Sequence, residues 1–221
     1  MEKQEHAKIE HLLPEEIEKR SFEIIARELS EKGISLPKEE GKQRIIKRVI
    51  HTSADFEYVR TLCFSKNAVE TLEQLIKQGA DIVTDTNMAL AGINKKALAE
   101  FGGSVHCFMA EEEVARLAKQ RRTTRAAVSM EKAAEIQKPV IFAVGNAPTA
   151  LIQLYEMTRE KRFQPAFIIG VPVGFVNVEA AKELILDTDI PYIINRGRKG
   201  GSNIAAAICN AVLYGLREKG K

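Results

Sequence analysis

Three turns hold the residues of this 221-residue chain best suited to chemistry. They are Gly145-Asn146-Ala147-Pro148-Thr149, Gly170-Val171-Pro172-Val173-Gly174-Phe175-Val176-Asn177 and Asn195-Arg196-Gly197-Arg198-Lys199-Gly200-Gly201-Ser202, and each follows an apolar run and precedes a helical pattern. Glycine and asparagine therefore crowd where a strand ends and a helix begins, the place where open α/β sheets bind ligands. The last turn adds three cations, Arg196, Arg198 and Lys199, to a glycine-rich helix start. Free backbone N–H groups and the helix dipole favour anions there, and arginine matches carboxylates bidentately. The combination suits a ligand carrying several carboxylates or phosphates.

Other residues carry two readings each. His51 follows an apolar-periodic segment and precedes Thr52-Ser53-Ala54-Asp55, a polar cluster. A histidine leaving a helix end is a functional acid or base titrating near neutrality, or a helix C-terminal cap. Thr52 and Ser53 are placed to orient its ring. His106 sits in a strand pattern beside Cys107 and reads as a satisfied core histidine, whereas His6 and His11 read as solvated. Arg121, Arg122 and Arg125 surround Thr123 and Thr124 at a helix start: surface charge by composition, or an anion contact if a strand-end loop places them. Arg20 and Ser21 lie on a helical stripe whose plain reading is a solvated face. Asn146, two residues before Pro148, reads as an N-cap.

The elements that must position these residues are legible from periodicity. Helical patterns run over 14–32, 38–50 and 68–77, with Gly33 and Gly79 closing the first and third. Short apolar runs at 80–85, 104–109, 139–144, 166–170 and 191–195 read as buried strands. Helical patterns at 88–100, 111–136, 148–160, 177–186 and 202–217 separate or follow them. Five strands alternating with helices predict an α/β fold with a five-stranded parallel sheet covered on both faces, after a helical N-terminal region. The helix over 204–216 is apolar on nearly all sides, so it is deeply buried or packed on another subunit. The terminal lysines are expected to fray.

Composition excludes several classes. The chain is 45% hydrophobic and 29% charged, with a net charge of +3, 6% aromatics and no Trp. That charge is too weak and those rings too few for a nucleic-acid platform. No apolar run reaches membrane-spanning length, and the charged N-terminus is no secretory signal, so a cytoplasmic location is expected. Cys63, Cys107 and Cys209 stand apart without CxxC spacing and read as reduced, buried thiols. No zinc-ligand spacing, P-loop or GxSxG elbow occurs. A single domain spanning 1–221 is expected.

Five strings in order then point to a family. Arg20-Ser21-Phe22-Glu23-Ile24-Ile25, Val49-Ile50-His51, Gly145-Asn146-Ala147-Pro148-Thr149-Ala150-Leu151, Gly170-Val171-Pro172-Val173-Gly174-Phe175-Val176 and Arg196-Gly197-Arg198-Lys199-Gly200-Gly201-Ser202 closely resemble the precorrin-8X methylmutases of cobalamin biosynthesis, including their cobalt-precorrin-8 members. Shorter echoes occur at Asp85 and at Thr124-Arg125, and the similarity covers roughly residues 12 to 215.

The resemblance implies a flavodoxin-like three-layer α/β/α fold and a homodimer with active sites near the subunit interface. It implies (cobalt-)precorrin-8 as substrate, with a methyl group moving from C-11 to C-12 of the corrinoid ring. Such an isomerisation needs no redox cofactor. His51 stands at the family's catalytic histidine position, as a general acid. Arg20, Ser21, Asp85, Thr124, Arg125, Arg196, Arg198, Lys199, Gly200 and Gly201 are the expected substrate contacts. The Thr-Ser-Ala-Asp string after His51 and the residues after Asp85 depart from other branches of the family. Two readings compete: a corrinoid carrier without chemistry, which turnover would exclude, and a nucleotide-binding protein, which stabilisation by nucleotides would reveal.

Overall fold

The computed structural model describes residues 9–219, so His6 and the final lysine, Lys221, lie outside the described residues. The chain divides into two units, one ending at Ser35 and the other beginning at Leu36.

The first unit contains helix α1 (Pro14–Glu31). Pro14 presets the first helical φ, and Glu15 and Glu16 place negative charge on the dipole's positive end. The Glu16 carboxylate accepts the Leu13 N–H at 3.0 Å, and Gly33, at φ +63°, ends the segment. His11 is exposed, as expected.

The second unit is built on a six-stranded sheet. In chain order it contains α2 (Glu40–Ser53), α3 (Tyr58–Thr61), β1 (Leu62–Phe64), α4 (Ala68–Lys77), β2 (Asp81–Thr84), α5 (Asn87–Gly92), α6 (Lys95–Ala99) and β3 (Val105–His106). Then come α7 (Glu112–Arg121), α8 (Arg125–Ala133), β4 (Val140–Val144), α9 (Pro148–Arg159), β5 (Phe167–Gly170), α10 (Val178–Leu186), β6 (Tyr192–Asn195) and α11 (Ser202–Lys219). The sheet order is β1-β6-β5-β4-β2-β3. All five expected strands are present and mutually parallel.

The sixth strand corrects the expected five-stranded parallel sheet. β1 runs antiparallel to β6, with Leu62 opposite Asn195 and Phe64 opposite Ile193. Three residues are too few to show a period, and β1 is fixed by its pairing with β6 rather than by its own propensity. Two expected helices are also divided. Asn94 breaks 88–100 by capping α6, its side chain accepting the Ala97 N–H. Arg122, in the left-handed region at φ +52°, ends α7 before Thr124 caps α8.

Alternation on the strands feeds two cores. Val140, Phe142 and Val144 join Ala126, Met130, Leu151, Leu154, Ala181 and Ile185 from α8, α9 and α10 in one apolar cluster. Ile141 and Ala143 point to the opposite face, as the two-residue repeat requires. There α11 packs against β4 and β5 and lies along α2, α4 and α5. Its all-round apolarity is therefore answered within the chain: Ile204 to Cys209, Ala211 to Leu213, Gly215 and Leu216 are buried. Among the described residues no helix is long and apolar enough to cross a membrane. Cys209 is buried, whereas Cys63 and Cys107 are only partly so; all three are free thiols. Lys219 does not fray but bonds both oxygens of Glu73 at 2.9 Å.

Candidate active site

The carboxyl ends of β4, β5 and β6 carry the three glycine-rich turns, and specific contacts bind them to one another and to the end of β2. Asp85 leaves β2 fully buried. Its two oxygens accept the backbone N–H groups of Gly145 (2.9 Å), Asn146 (2.7 Å) and Ala147 (2.6 Å) across the β2–β4 pair. Burial pushes the Asp85 carboxyl above the usual carboxylate range, and the three amide donors pull against that shift. Both oxygens act as acceptors, as a carboxylate's must.

This network replaces the expected Asn146 cap. Ala147 is the N-cap of α9 and offers no side-chain acceptor, so a carboxylate from another strand binds the turn's amides. The Asn146 side chain is left exposed at the strand end. Gly145 is required because a Cβ there would lie 2.6 Å from the Cα of Ser202, where the start of α11 crosses the turn. Thr86, the N-cap of α5, closes the same junction, its hydroxyl 2.7 Å from that of Ser202. Thr124 caps α8 and donates its hydroxyl to Thr149 at 2.9 Å, which sets Arg125 beside the first turn of α9.

The cationic turn after β6 lies against the loop after β5. Gly201 donates its N–H to the Val171 carbonyl at 2.9 Å, and Gly174 donates to the Arg198 carbonyl at 3.1 Å. At Gly200 (φ +158°) a Cβ would overlap the Val171 carbonyl, so only glycine fits. The three cations are exposed and each meets acid: Arg196 Nε is 3.3 Å from Glu183, Arg198 Nε is 3.4 Å from Glu179, and Lys199 Nζ is 2.6 Å from both Asp55 and Glu57. The arginine pairs are single contacts in solvent, worth well under ~1 kcal/mol, so they hold the guanidinium groups only weakly. Lys199 is held more firmly: its bonds to Asp55 and then Glu57 raise its pKa, and the same contact lowers that of Asp55. Phe175, 83% exposed, lies under the Arg198 guanidinium at 5.5 Å.

His51 is exposed in the last turn of α2, which runs on to Ser53 before Ala54 enters the left-handed region. It lines a recess with Arg48 and Thr52 of α2, Gly92 of α5, and Asn203, Ala206, Asn210 and Tyr214 of α11. Arg48 sits over the Tyr214 ring at 5.2 Å. The expected orienting hydroxyls are turned elsewhere: Thr52 donates to the Arg48 carbonyl and Ser53 to the Val49 carbonyl, as hydroxyls in helices do.

The path of the chain ties this recess to the cationic turn. From His51 it runs through Asp55 and Glu57, which hold Lys199, then through α3 into β1 beside β6. The Arg196 N–H extends that pairing by donating to the Thr61 carbonyl at 2.9 Å. Asn203 belongs to the recess, one residue after the turn's Ser202. Within the second unit, contacts join Asp85 to the Gly145 turn, Thr124 to Thr149 of α9, and Lys199, which shares its turn with Arg196, Arg198, Gly200 and Gly201, to the chain leaving His51. Arg20 and Ser21 belong to the first, where Arg20 bonds both oxygens of Glu10 at 2.8 Å and Ser21 donates to the Ile17 carbonyl. His106 is satisfied as expected, with Nε2 2.9 Å from Asp81, but on the edge strand β3 it is only partly buried rather than a core residue.

Sequence reasoning missed several residues of this surface. Glu57, Asn203 and Tyr214 stand in none of the motifs, and Asp55 enters only as the end of the polar cluster after His51. Lys182 had a usable signal, because it interrupts the apolar stripe Val178, Ala181, Ile185 of α10. Asn195 had none, since asparagine at a strand end is ordinary turn chemistry.

The chain is similar to known proteins over most of its length. Residues 16–215 match the family model described as precorrin-8X methylmutase. A cobalt-precorrin-8 methylmutase of Salmonella typhimurium is 43% identical over 210 residues, covering 93% of this chain and 97% of that protein. One from Priestia megaterium is 39% identical over 199 residues, covering 90% and 87%. The solved structure of a precorrin-8X methyl mutase from Thermus thermophilus superposes with a TM-score of 0.82 at 35% identity, over 93% of this chain and 100% of that one.

Proposed function

The chain belongs to the precorrin-8X methylmutase family, and from that premise we propose that it moves a methyl group from C-11 to C-12 of (cobalt-)precorrin-8 in cobalamin biosynthesis. The observation that carries the proposal is the junction of two unlike surfaces: a recess holding His51, and a cation-bearing glycine turn tied to it through Lys199, Asp55 and Glu57. A macrocycle with acidic side chains needs both, one for the ring and one for its carboxylates.

In this reading His51 is the general acid. It lends a proton to the conjugated ring, the methyl group migrates between neighbouring carbons, and the proton returns, so atoms and electrons balance without a redox cofactor. A positioned acid of this kind supplies ~10²–10⁴-fold of rate. Holding the ring in a reactive geometry supplies much of the rest. Arg125, Arg196, Arg198 and Lys199 receive peripheral carboxylates, with Thr124 and the amide of Gly200 as further contacts; Arg20 and Ser21 of the first unit rest on the family resemblance alone. Asp85, expected as a substrate contact, is fully buried with both oxygens taken by the Gly145–Ala147 amides, so it holds that turn instead.

The finer architecture follows the same reading: a single flavodoxin-like, three-layer domain. Its support is the order of the five parallel strands, β3-β2-β4-β5-β6, which is the doubly wound order 2-1-3-4-5. The reversal falls between β2 and β4, where Asp85, Thr86 and Ser202 occupy the crevice themselves. That leaves little room for a nucleotide or flavin phosphate. A cytoplasmic homodimer completes the proposal, with the exposed Val173, Phe175 and Val176 as apolar surface suited to a partner or the ring.

The test is an anaerobic absorbance time course with cobalt-precorrin-8. The wild type is expected to convert the chromophore, and His51→Ala to bind it without conversion. Binding without conversion by both proteins would make the chain a corrinoid carrier. Conversion by His51→Ala at the wild-type rate would remove the acid role from His51.

A further inference from the structure

Lys182 is fully buried on α10, on the same stripe as Val178, Ala181 and Ile185. An ammonium group in that position is costly unless it finds acceptors. It finds two, both in the cationic turn: Nζ donates to the Gly197 carbonyl at 2.6 Å and to the Lys199 carbonyl at 3.0 Å. Asn195 works on the same backbone, its amide nitrogen donating to the carbonyls of Arg196 (3.2 Å) and Lys199 (2.8 Å). In doing so it leaves its own Oδ1 buried without a hydrogen-bond partner. The Arg198 carbonyl is taken by the Gly174 N–H.

Four consecutive carbonyls, 196 to 199, are thereby bound by protein donors. This matters for an anion. A carbonyl oxygen turned outward presents partial negative charge and repels a carboxylate, and one turned inward leaves the side-chain cations to set the field. Lys182 also lends a buried positive charge beneath the turn, where screening is weak.

We propose that Lys182 is a positioning residue for polycarboxylate recognition: its ammonium turns the Gly197 and Lys199 carbonyls inward, so that the Arg196–Gly201 turn meets the substrate with cations rather than carbonyl oxygens. The inference rests on the reading that this turn receives the macrocycle's carboxylates.

The experiment compares wild type with Lys182→Met, which keeps the apolar stem and removes the ammonium. Two readouts are taken: steady-state kinetics with cobalt-precorrin-8, and amide hydrogen exchange of the ligand-free proteins. The expected result is a KM raised about tenfold with kcat within about twofold, the sign of lost ground-state binding. Exchange across 196–202 is expected to quicken while the central strands keep their protection. An unchanged KM, or a fall in kcat at constant KM, overturns the proposal, as does unchanged exchange in the turn. If the Met variant does not fold, Lys182→Gln takes its place and the same two readouts decide. A wild type inert toward cobalt-precorrin-8 and its metal-free counterpart would instead sink the methylmutase reading, with exchange still judging the hold of Lys182 on the turn.

Discussion

Two turns at the same edge of the sheet are held by buried charges of opposite sign. After β4, the Asp85 carboxylate collects three backbone N–H groups, and the turn's amides are used up inside the protein. After β6, the Lys182 ammonium collects two backbone carbonyls, and the turn's cations stay at the surface. A buried acid makes a turn unattractive to anions by spending its donors. A buried base does the reverse by spending its acceptors. The first turn serves as scaffold, against which Gly201 and Ser202 pack, and the second is the face proposed to meet a charged ligand.

Breaking the acid should have the larger effect. Asp85→Ala leaves three amides without their acceptor in a buried place, and each such loss costs ~1–3 kcal/mol, less than additively. A loss of about 3 kcal/mol or more in denaturant unfolding is expected, together with loss of activity as the start of α11 shifts. Asp85→Asn keeps one carbonyl oxygen but turns an NH₂ toward an N–H donor, so an intermediate loss is expected. Equal stability of Asp85→Ala and wild type would show that the turn holds itself.

Breaking the base should show in its pH dependence. Burial lowers the Lys182 pKa from 10.5 to about 8, partly offset by Glu179. Between those values the unfolded chain keeps a proton that the folded one has shed, so this group's contribution to stability rises with pH across that window. Relative to Lys182→Met, the wild type should gain on the order of 2–3 kcal/mol from pH 8 to 10.5, at about 1.4 kcal/mol per pKa unit. Substrate affinity should move the other way, with KM rising above about pH 8 as the ammonium becomes an amine. Denaturant melts of both proteins at several pH values would check the first sign, and kinetics the second.

The smallest effect on stability belongs to the surface cations. Arg196→Ala and Arg198→Ala each remove one exposed, single-contact ion pair, and a change within ~0.5 kcal/mol is expected. KM should nonetheless rise several-fold if, as proposed, each arginine exchanges its glutamate for a substrate carboxylate. A stability loss as large as that of Asp85→Ala would place them with the scaffold instead.

The parts of this comparison differ in how far they can be read from sequence. Apolar runs such as Val140–Val144 and Phe167–Gly170 announce strands because their period and bounding glycines are local. The glycines of the cationic turn announce close backbone approach for the same reason, and Gly200 does meet the Val171 carbonyl. Asp85 was legible as a site residue only through family resemblance, and its partners lie about sixty residues away. β1 escaped notice because three residues carry no period, and its place is fixed by β6. The Asn146 cap was misread because local rules cannot see a carboxylate arriving from a neighbouring strand.

What the sequence determined by itself was the order of strands and helices, the position of each chemically able turn and the family, all properties of contiguous residues. The tertiary structure alone decided which charge lies beneath which turn, that α11 is covered within the chain, and that His51 shares a recess with Asn203 and Tyr214. Those are contacts between segments far apart along the chain, and their energy comes from burial and from hydrogen bonds that exist only once the sheet has brought the segments together.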